Sequence, residues 1–587
     1  MKSEHSWRYL TLGILLSTMA FFIIVQMIRI QTSPQAQVFR DRGSANTGGW
    51  QTIVPARGEI MDRWGHLLAG NITVYEVGVE LADVKNPSTI AMAMNAVVGS
   101  NYDEVFATVS QPYSDTAIYR VIADFVSEEK KTRLEQLKAE MDIAYSDQNE
   151  KNRPSLSGLV FTPHLQRSYP EKQLASNILG FVNREGKGYF GVEEKFNDLL
   201  AGTPQTLWVS VDPNRVEELP KVPDGVSLVL TIDREIQSEI QDILQNGLKQ
   251  SGAEAGTIVV MDPKTGEILG MATTPLLDLN EYWHYDEIFQ NPIPFNKAVS
   301  QSYEPGSVFK VLTMATALDS GAVKPDTSFL DTGVFEIGGV VIHNWDGGAW
   351  GPQDMLGCMQ HSLNVCLAWV ASQTGANAFY KYMQNFGIGH LTGVDLAGEV
   401  PGRLKLPGDG DWYEADLGTN AFGQGVSVTP IQMVMAVSAV ANEGKMVTPR
   451  IVRSMIDKGR EYNTQPQIAG MPITSKSAST LTNMLASSLE IESSDALVDG
   501  YRVAGKTGTA EIPTPFGYTS NATNASFVGW GPVDDPQFLV YVWLEKPTSS
   551  PWGSVVAAPI FKEVVERLVV LLNIPPDKVR QRLMEGQ

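Results

Sequence analysis

The sequence predicts an α+β fold: one N-terminal transmembrane helix, an extended scaffold region, then an antiparallel sheet covered by helices. Three observations carry this. A 20-residue apolar run from Tyr9 to Ile28 is long enough at helical rise to cross a bilayer core of about 30 Å. The 587 residues are too many for one ordinary domain. In the second half of the chain, strand-like runs lie at the two ends with helical runs between them, so the strands must meet across the helices.

The span is read as an uncleaved anchor at residues 9–28. A signal peptide has an apolar core of roughly 7–15 residues and a small-residue cleavage site. This run is longer, and no A-x-A site follows it. Lys2 and Arg8 precede it, whereas Arg29, Arg40 and Arg42 follow, so charge alone does not orient it. The short amino tail, 1–8, still places the tail inside and the bulk outside.

Residues 29–51 are rich in Gln, Ser, Thr and Gly and read as a juxtamembrane connector. Residues 52–223 hold ordered patches but no chemistry of their own. Arg57-Gly58-Glu59-Ile60-Met61-Asp62-Arg63 reads as a turn and short strand, Tyr75 to Leu81 as a strand, and Glu128 to Ala144 as a charged helix. From Asp224 the pattern changes. Ser227 to Ile232 reads as a strand, Glu235 to Leu248 as an amphipathic helix, and Gly256 to Ala272 as a hairpin around Asp262-Pro263-Lys264-Thr265-Gly266. A helix is expected at Ser307–Leu318 and a helical region over roughly Asp354–Gln373. Strands are expected at Arg502–Ala510, Ser526–Trp530 and Phe538–Leu544, before a closing helix from Ala558 to Asn573. The catalytic-looking region is therefore 224–575, and 576–587 is a tail.

Composition removes several classes of function. A net charge of −21 argues against nucleic acid or an anionic membrane surface as the main ligand. Two cysteines exclude a disulfide scaffold and a cysteine metal cluster, and the seven histidines show no H-E-x-x-H spacing, so no metal is expected.

The chemistry centres on Glu304-Pro305-Gly306-Ser307-Val308-Phe309-Lys310. Pro-Gly breaks the backbone just before a helix, which places Ser307 in the first turn, where free N–H groups favour developing negative charge. Lys310 follows at i+3, on the same face. A lysine whose pKa is lowered by burial or a neighbouring cation can take the serine's proton. Ser-x-x-Lys recurs at Ser127 and Lys130, but there in a charged, solvated helix start. Ser362-Leu363-Asn364 supplies a hydroxyl and an amide able to hold the lysine; its decoy, Ser44-Ala45-Asn46, lies in the connector. Lys506-Thr507-Gly508-Thr509 supplies a cation on a strand, with Gly508 expected to let a ligand backbone approach. Its decoy, Lys264-Thr265-Gly266, sits in a hairpin turn.

In that order, Ser307-x-x-Lys310, Ser362-x-Asn364 and Lys506-Thr507-Gly508 resemble the motif triplet of penicillin-binding proteins and serine β-lactamases. Arg57-Gly58-x-Ile60-x-Asp62-Arg63-x-Gly65 is similar to the opening of the elongated, dimerisation-like pedestal of the class B members, the monofunctional transpeptidases. Gly423-Gln424-Gly425 with Thr429-Pro430 resembles their Gly-Gln-Gly segment, although Ala421-Phe422 stands where Ser-Ile is common. The resemblance implies a cofactor-free D,D-transpeptidase acting on peptidoglycan stem peptides and acylated by β-lactam antibiotics. Ser307 would be the nucleophile, Lys310 the base, and Ser362 and Asn364 the proton relay and orienting amide. Lys506 and Thr507 would hold the substrate carboxylate, and the N–H groups of Ser307 and Thr509 would form the oxyanion hole. It also implies a membrane glycosyltransferase partner of the SEDS type. A D,D-carboxypeptidase or β-lactamase, and a non-catalytic β-lactam sensor or scaffold, are the alternatives; the anchor and pedestal weigh against a hydrolase.

Cys358 and Cys366 flank the second motif. On one continuous helix they would stand about 12 Å apart, too far to bridge. Two buried thiols are therefore expected, with a bridge open only if Ser362 lies in a loop between two helices.

Overall fold

The computed structural model describes residues 6–33, 48–114, 117–148, 153–210, 222–290, 292–514 and 517–585. Ser44-Ala45-Asn46, most of the expected tail 1–8 and much of the connector lie outside the described residues. The chain forms two compact units, Met1–Ala56 with Gly202–Asp224, and Arg57–Ala201 with Gly225–Gln587.

The smaller unit holds the apolar helix Ser6–Thr32. Among the described residues, it is the one helix long and apolar enough to cross a membrane. The unit also contains an antiparallel ribbon of Gly48–Ile53 and Gln205–Ser210, in which Trp50 faces Trp208 edge-on.

In the larger unit, a five-stranded antiparallel sheet runs in the order Ile268–Thr273, Ala255–Met261, Phe538–Glu545, Gly517–Gly531, Ala504–Thr514. Its middle strand shows why the sheet is sandwiched. Val540, Val542 and Leu544 face the helices Arg234–Ser251 and Ala558–Leu571, and pack with Ile240, Phe561 and Val565. Leu539, Tyr541 and Trp543 face the opposite way, into a core shared with the helices Lys310–Asp319 and Pro430–Ala441. Alternate residues thus enter two different cores, and the strand reads as uniformly apolar rather than alternating. The last strand, Ala504–Thr514, has one neighbour and leaves an open edge.

A second sheet joins early and late parts of the chain. Ile60–Met61 pairs in parallel with Ser227–Leu230 and antiparallel with Leu67–Glu80, and Ser227–Leu230 pairs in turn with Val452–Asp457. Beside it, the Glu193 carboxylate is wholly buried between two guanidinium groups. Arg57 Nε and Arg167 Nε each donate to it at 2.7 Å, and Tyr169 Oη donates at 3.3 Å. Arg57 therefore owes its place in the motif to structure: it neutralises a carboxylate that burial would otherwise penalise heavily.

The helical region Asp354–Gln373 holds two helices, Met355–Gln360 and Asn364–Thr374. The C-terminal segment 576–587 carries a helix, Asp577–Glu585, docked by Arg580 to Asp577 and Asp534 and by Arg502 N–H to Asp577 Oδ2 at 2.6 Å. Its polar sequence gave no apolar period because charge pairs, rather than burial, hold it.

Candidate active site

The nucleophile candidate sits on a 3₁₀ turn, Gly306–Phe309, that runs into the helix Lys310–Asp319. Gly306 has φ +61°, and a Cβ there would stand 2.6 Å from the Thr509 carbonyl oxygen. Only glycine fits, so the turn packs directly against the sheet's open edge. Gly306 N–H also donates to Gly423 O at 3.1 Å, which ties the Gly-Gln-Gly segment to the same turn. Val308 and Phe309 are fully buried, and Ser307 is left half-exposed in a cleft.

Lys310 is completely buried. Its Nζ donates to Ser362 O at 2.6 Å and Asn364 Oδ1 at 2.8 Å, and lies 3.2 Å from Ser362 Oγ. Burial, then the nearby Lys506 cation, pull its pKa well below the ordinary lysine value. Among the described contacts, the amine is held by the second motif rather than by Ser307.

The second motif reaches Lys310 because the helix stops where it does. Ser362 adopts φ +53°, and Leu363 N–H turns back to Cys358 O at 3.0 Å, an αL helix ending. The break brings Cys358 and Cys366 to a Cα separation of 6.0 Å, and they form a disulfide. The expectation of two free thiols is thus corrected. It assumed one continuous helix, and nothing in the sequence pattern marks Ser362 as left-handed.

Lys506 is 5% exposed on the edge strand, 3.2 Å from Thr507 Oγ1. Burial lowers its pKa to about 8, opposed by the Glu492 carboxylate. Ser307, Ser362, Asn364, Lys506, Thr507 and Thr509 line one cleft of about 1080 Å³. Gly508 does not line it. A Cβ there would meet Ser526 Oγ at 2.2 Å and Val308 Cγ1 at 2.9 Å, so its smallness serves packing under the nucleophile turn, not ligand approach. The decoys fall elsewhere: Ser127 caps a surface helix, and Lys264 pairs with Asp535 outside the cleft.

Sequence reasoning missed Trp345, Trp350, Tyr518, Trp552 and Glu492, which also line the cleft. Trp345 meets Trp552 edge-on, and Trp350 stacks on His361. Trp345, Trp350, Glu492 and Trp552 come from turns and loops that carry no periodic signal, and Tyr518 from the strand Gly517–Gly531. Glu304, beside the nucleophile motif, carries no signal in the sequence that assigns it a role.

A serine hydroxyl beside a buried amine and a cationic strand edge can carry out acyl transfer. Two family models match the chain: the penicillin-binding protein dimerisation domain over residues 52–223, and the penicillin binding protein transpeptidase domain over residues 256–566. The chain belongs to the class B penicillin-binding proteins. Within that family, stage V sporulation protein D of Bacillus subtilis is 33% identical over 539 residues, covering 89% of this chain and 79% of that protein. A Pseudomonas aeruginosa protein named "Probable peptidoglycan D,D-transpeptidase PbpC" is 28% identical over 541 residues, covering 90% and 89%. The crystal structure of penicillin-binding protein 3 from Mycobacterium tuberculosis with aztreonam superposes with a TM-score of 0.67 at 25% identity, covering 90% of this chain and 98% of that one.

Proposed function

We propose that this class B penicillin-binding protein is a serine D,D-transpeptidase that cross-links peptidoglycan stem peptides and is acylated by β-lactams at Ser307. The observation that carries the site assignment is that Lys310 Nζ meets Ser362 and Asn364 at one end of a cleft whose other wall is the Lys506-Thr507 strand edge.

The hydrogen bonds suggest how the lysine serves as base. Neutral Lys310 has two N–H bonds and one lone pair. Ser362 O and Asn364 Oδ1 only accept, and take the two N–H bonds. The lone pair is then left for the Ser307 proton, directly or through Ser362 Oγ. Ser307 Oγ attacks the carbonyl between the two terminal D-alanines as Lys310 receives the proton. The N–H groups of Ser307 and Thr509 hold the oxyanion, an interaction typically worth about 3–4 kcal/mol. The C–N bond breaks, and the proton leaves on the departing D-alanine. An amine of a second stem then attacks the ester, gives its proton to the lysine, and Ser307 is regenerated. Lys506 and Thr507 hold the terminal carboxylate until it leaves with the departing D-alanine.

The domain reading accompanies this: tail 1–8, anchor 9–28, connector 29–51, pedestal 52–223, transpeptidase 224–575. The Ser6–Thr32 helix supports a single-pass anchor; an extracytoplasmic cleft and a SEDS-type glycosyltransferase partner complete the reading. Labelling the full-length chain with a fluorescent penicillin and mapping the modified peptide tests the assignment. Label on Ser307 that is lost in Ser307→Ala is expected; label surviving that substitution would show the wrong serine was chosen.

A further inference from the structure

The cleft wall next to Ser307 is organised by a carboxylate that the acyl-transfer scheme does not use. Glu304 stands three residues before the nucleophile and is half-buried. Its Oε1 accepts the Gly425 N–H at 3.1 Å, and both carboxylate oxygens receive Tyr518 Oη, at 3.1 and 3.0 Å. Tyr518 and Gln424 line the cleft together with Ser307. Three segments distant in sequence therefore meet on one side chain: the nucleophile turn, the Gly-Gln-Gly segment and the strand Gly517–Gly531.

Retaining a carboxylate there is costly. Burial raises the Glu304 pKa, while Tyr518, the Gly425 N–H and a more distant Lys405 oppose that rise. Lys405 is itself engaged with Asp416 at 2.6 Å. The same burial and the Glu304 charge push the Tyr518 phenol up, so it stays a donor throughout the neutral range. Such a carboxylate is useful for its two acceptor atoms, which one amide or hydroxyl could not replace equally well.

We propose that Glu304 is a positioning residue for acyl transfer: by holding Gly425 and Tyr518 at once, it fixes the cleft wall and the turn carrying Ser307 in a single geometry. The inference rests on the acyl-transfer reading above. A displaced nucleophile costs rate rather than affinity, because only attack geometry changes.

Benzylpenicillin acylation of the full-length, detergent-solubilised chain, followed over a range of concentrations, separates the limiting acylation rate from the apparent dissociation constant. Glu304→Ala should lower the limiting rate by about tenfold or more, with a smaller change in the dissociation constant. Glu304→Gln, which keeps the length and one acceptor oxygen, should recover only part of it. Tyr518→Phe should cost a few-fold, and added to Glu304→Ala should cost nothing further, because the contact is already gone. If Glu304→Ala does not fold, Glu304→Asp, too short to reach both partners, should show the same loss. An unaltered limiting rate in Glu304→Ala or Glu304→Asp overturns the proposal, as do multiplying effects of Glu304→Ala and Tyr518→Phe. Wild-type chain that takes no label at Ser307 overturns the acyl-transfer reading itself, and this inference with it.

Discussion

Ser362 presents its carbonyl oxygen to Lys310 Nζ at 2.6 Å, and it does so from a left-handed backbone at φ +53°. One residue thus does two jobs that pull against each other. Its hydroxyl lies 3.2 Å from the amine, a contact glycine could not make, yet its backbone adopts a conformation that glycine adopts more cheaply.

Ser362→Gly and Ser362→Ala separate these jobs. Both remove the hydroxyl and should slow acylation to a similar extent. Ser362→Gly should be the more stable by about 1 kcal/mol, because a Cβ is costly at positive φ. Denaturant unfolding of the two variants checks this, and equal stabilities would show that the neighbouring helices impose no strain at this position.

The Cys358–Cys366 bridge clamps the same turn from both sides. Closing so short a loop should contribute about 2–3 kcal/mol by the chain-entropy estimate. Cys358→Ala/Cys366→Ala should therefore lower the melting temperature and loosen the Ser362–Lys310 contact, slowing acylation. Calorimetry with a penicillin labelling time course measures both. A fall in melting temperature with no change in labelling would confine the bridge to stability.

The residues that meet around this cleft were legible in the sequence and their geometry was not. Ser307, Lys310, Ser362, Asn364 and Lys506 announce themselves by residue type and order, because each must be a particular chemical group. Order and context also removed the decoys at Ser127 and Lys264. The strands Ala255–Met261 and Phe538–Glu545 were legible because burial on both faces leaves an unbroken apolar run. What stayed hidden depends on single backbone angles or contacts distant in sequence. The positive φ of Ser362 split a helix and paired two cysteines, and Tyr518 meets Glu304 across more than two hundred residues. Gly508 was read as room for a ligand when Ser526 and Val308 occupy that space.

Glu193 offers a test of the scaffold apart from the cleft. Its carboxylate is fully buried between Arg57 and Arg167, so Glu193→Ala leaves two buried guanidinium groups uncompensated. A loss of about 3–5 kcal/mol of stability is expected. The fraction that remains folded should be acylated within about twofold of the wild-type rate, since distant sites act independently. Labelling normalised to folded protein, followed alongside thermal unfolding, distinguishes the two. A large drop in the normalised rate would tie this network to the active site.

The two lysines of the cleft predict the shape of the pH profile. Lys310 must be neutral to take the Ser307 proton, so acylation should rise with pH through its depressed pKa. Lys506 must be charged to hold a carboxylate, so acylation by a carboxylate-bearing ligand should fall again around pH 8, where Lys506 loses its proton. The result is a bell for penicillins, whereas a neutral ester should show the rising limb alone. Because the Lys506 charge lowers the Lys310 pKa, the two limbs belong to the pair. Lys506→Ala removes one cause of the Lys310 depression, and should move the rising limb to higher pH. Glu492→Gln removes the anion that supports the Lys506 charge, and should move the falling limb to lower pH. Lys310→Arg keeps a cation that cannot be deprotonated in this range, and should lose acylation nearly as completely as Lys310→Ala. Acylation rates of these variants from pH 5 to 10, with a penicillin and a neutral ester, decide the matter. If Lys310→Arg keeps most of the wild-type rate, the lysine acts only through its charge, and the Ser307 proton must leave through Ser362 or a bound water.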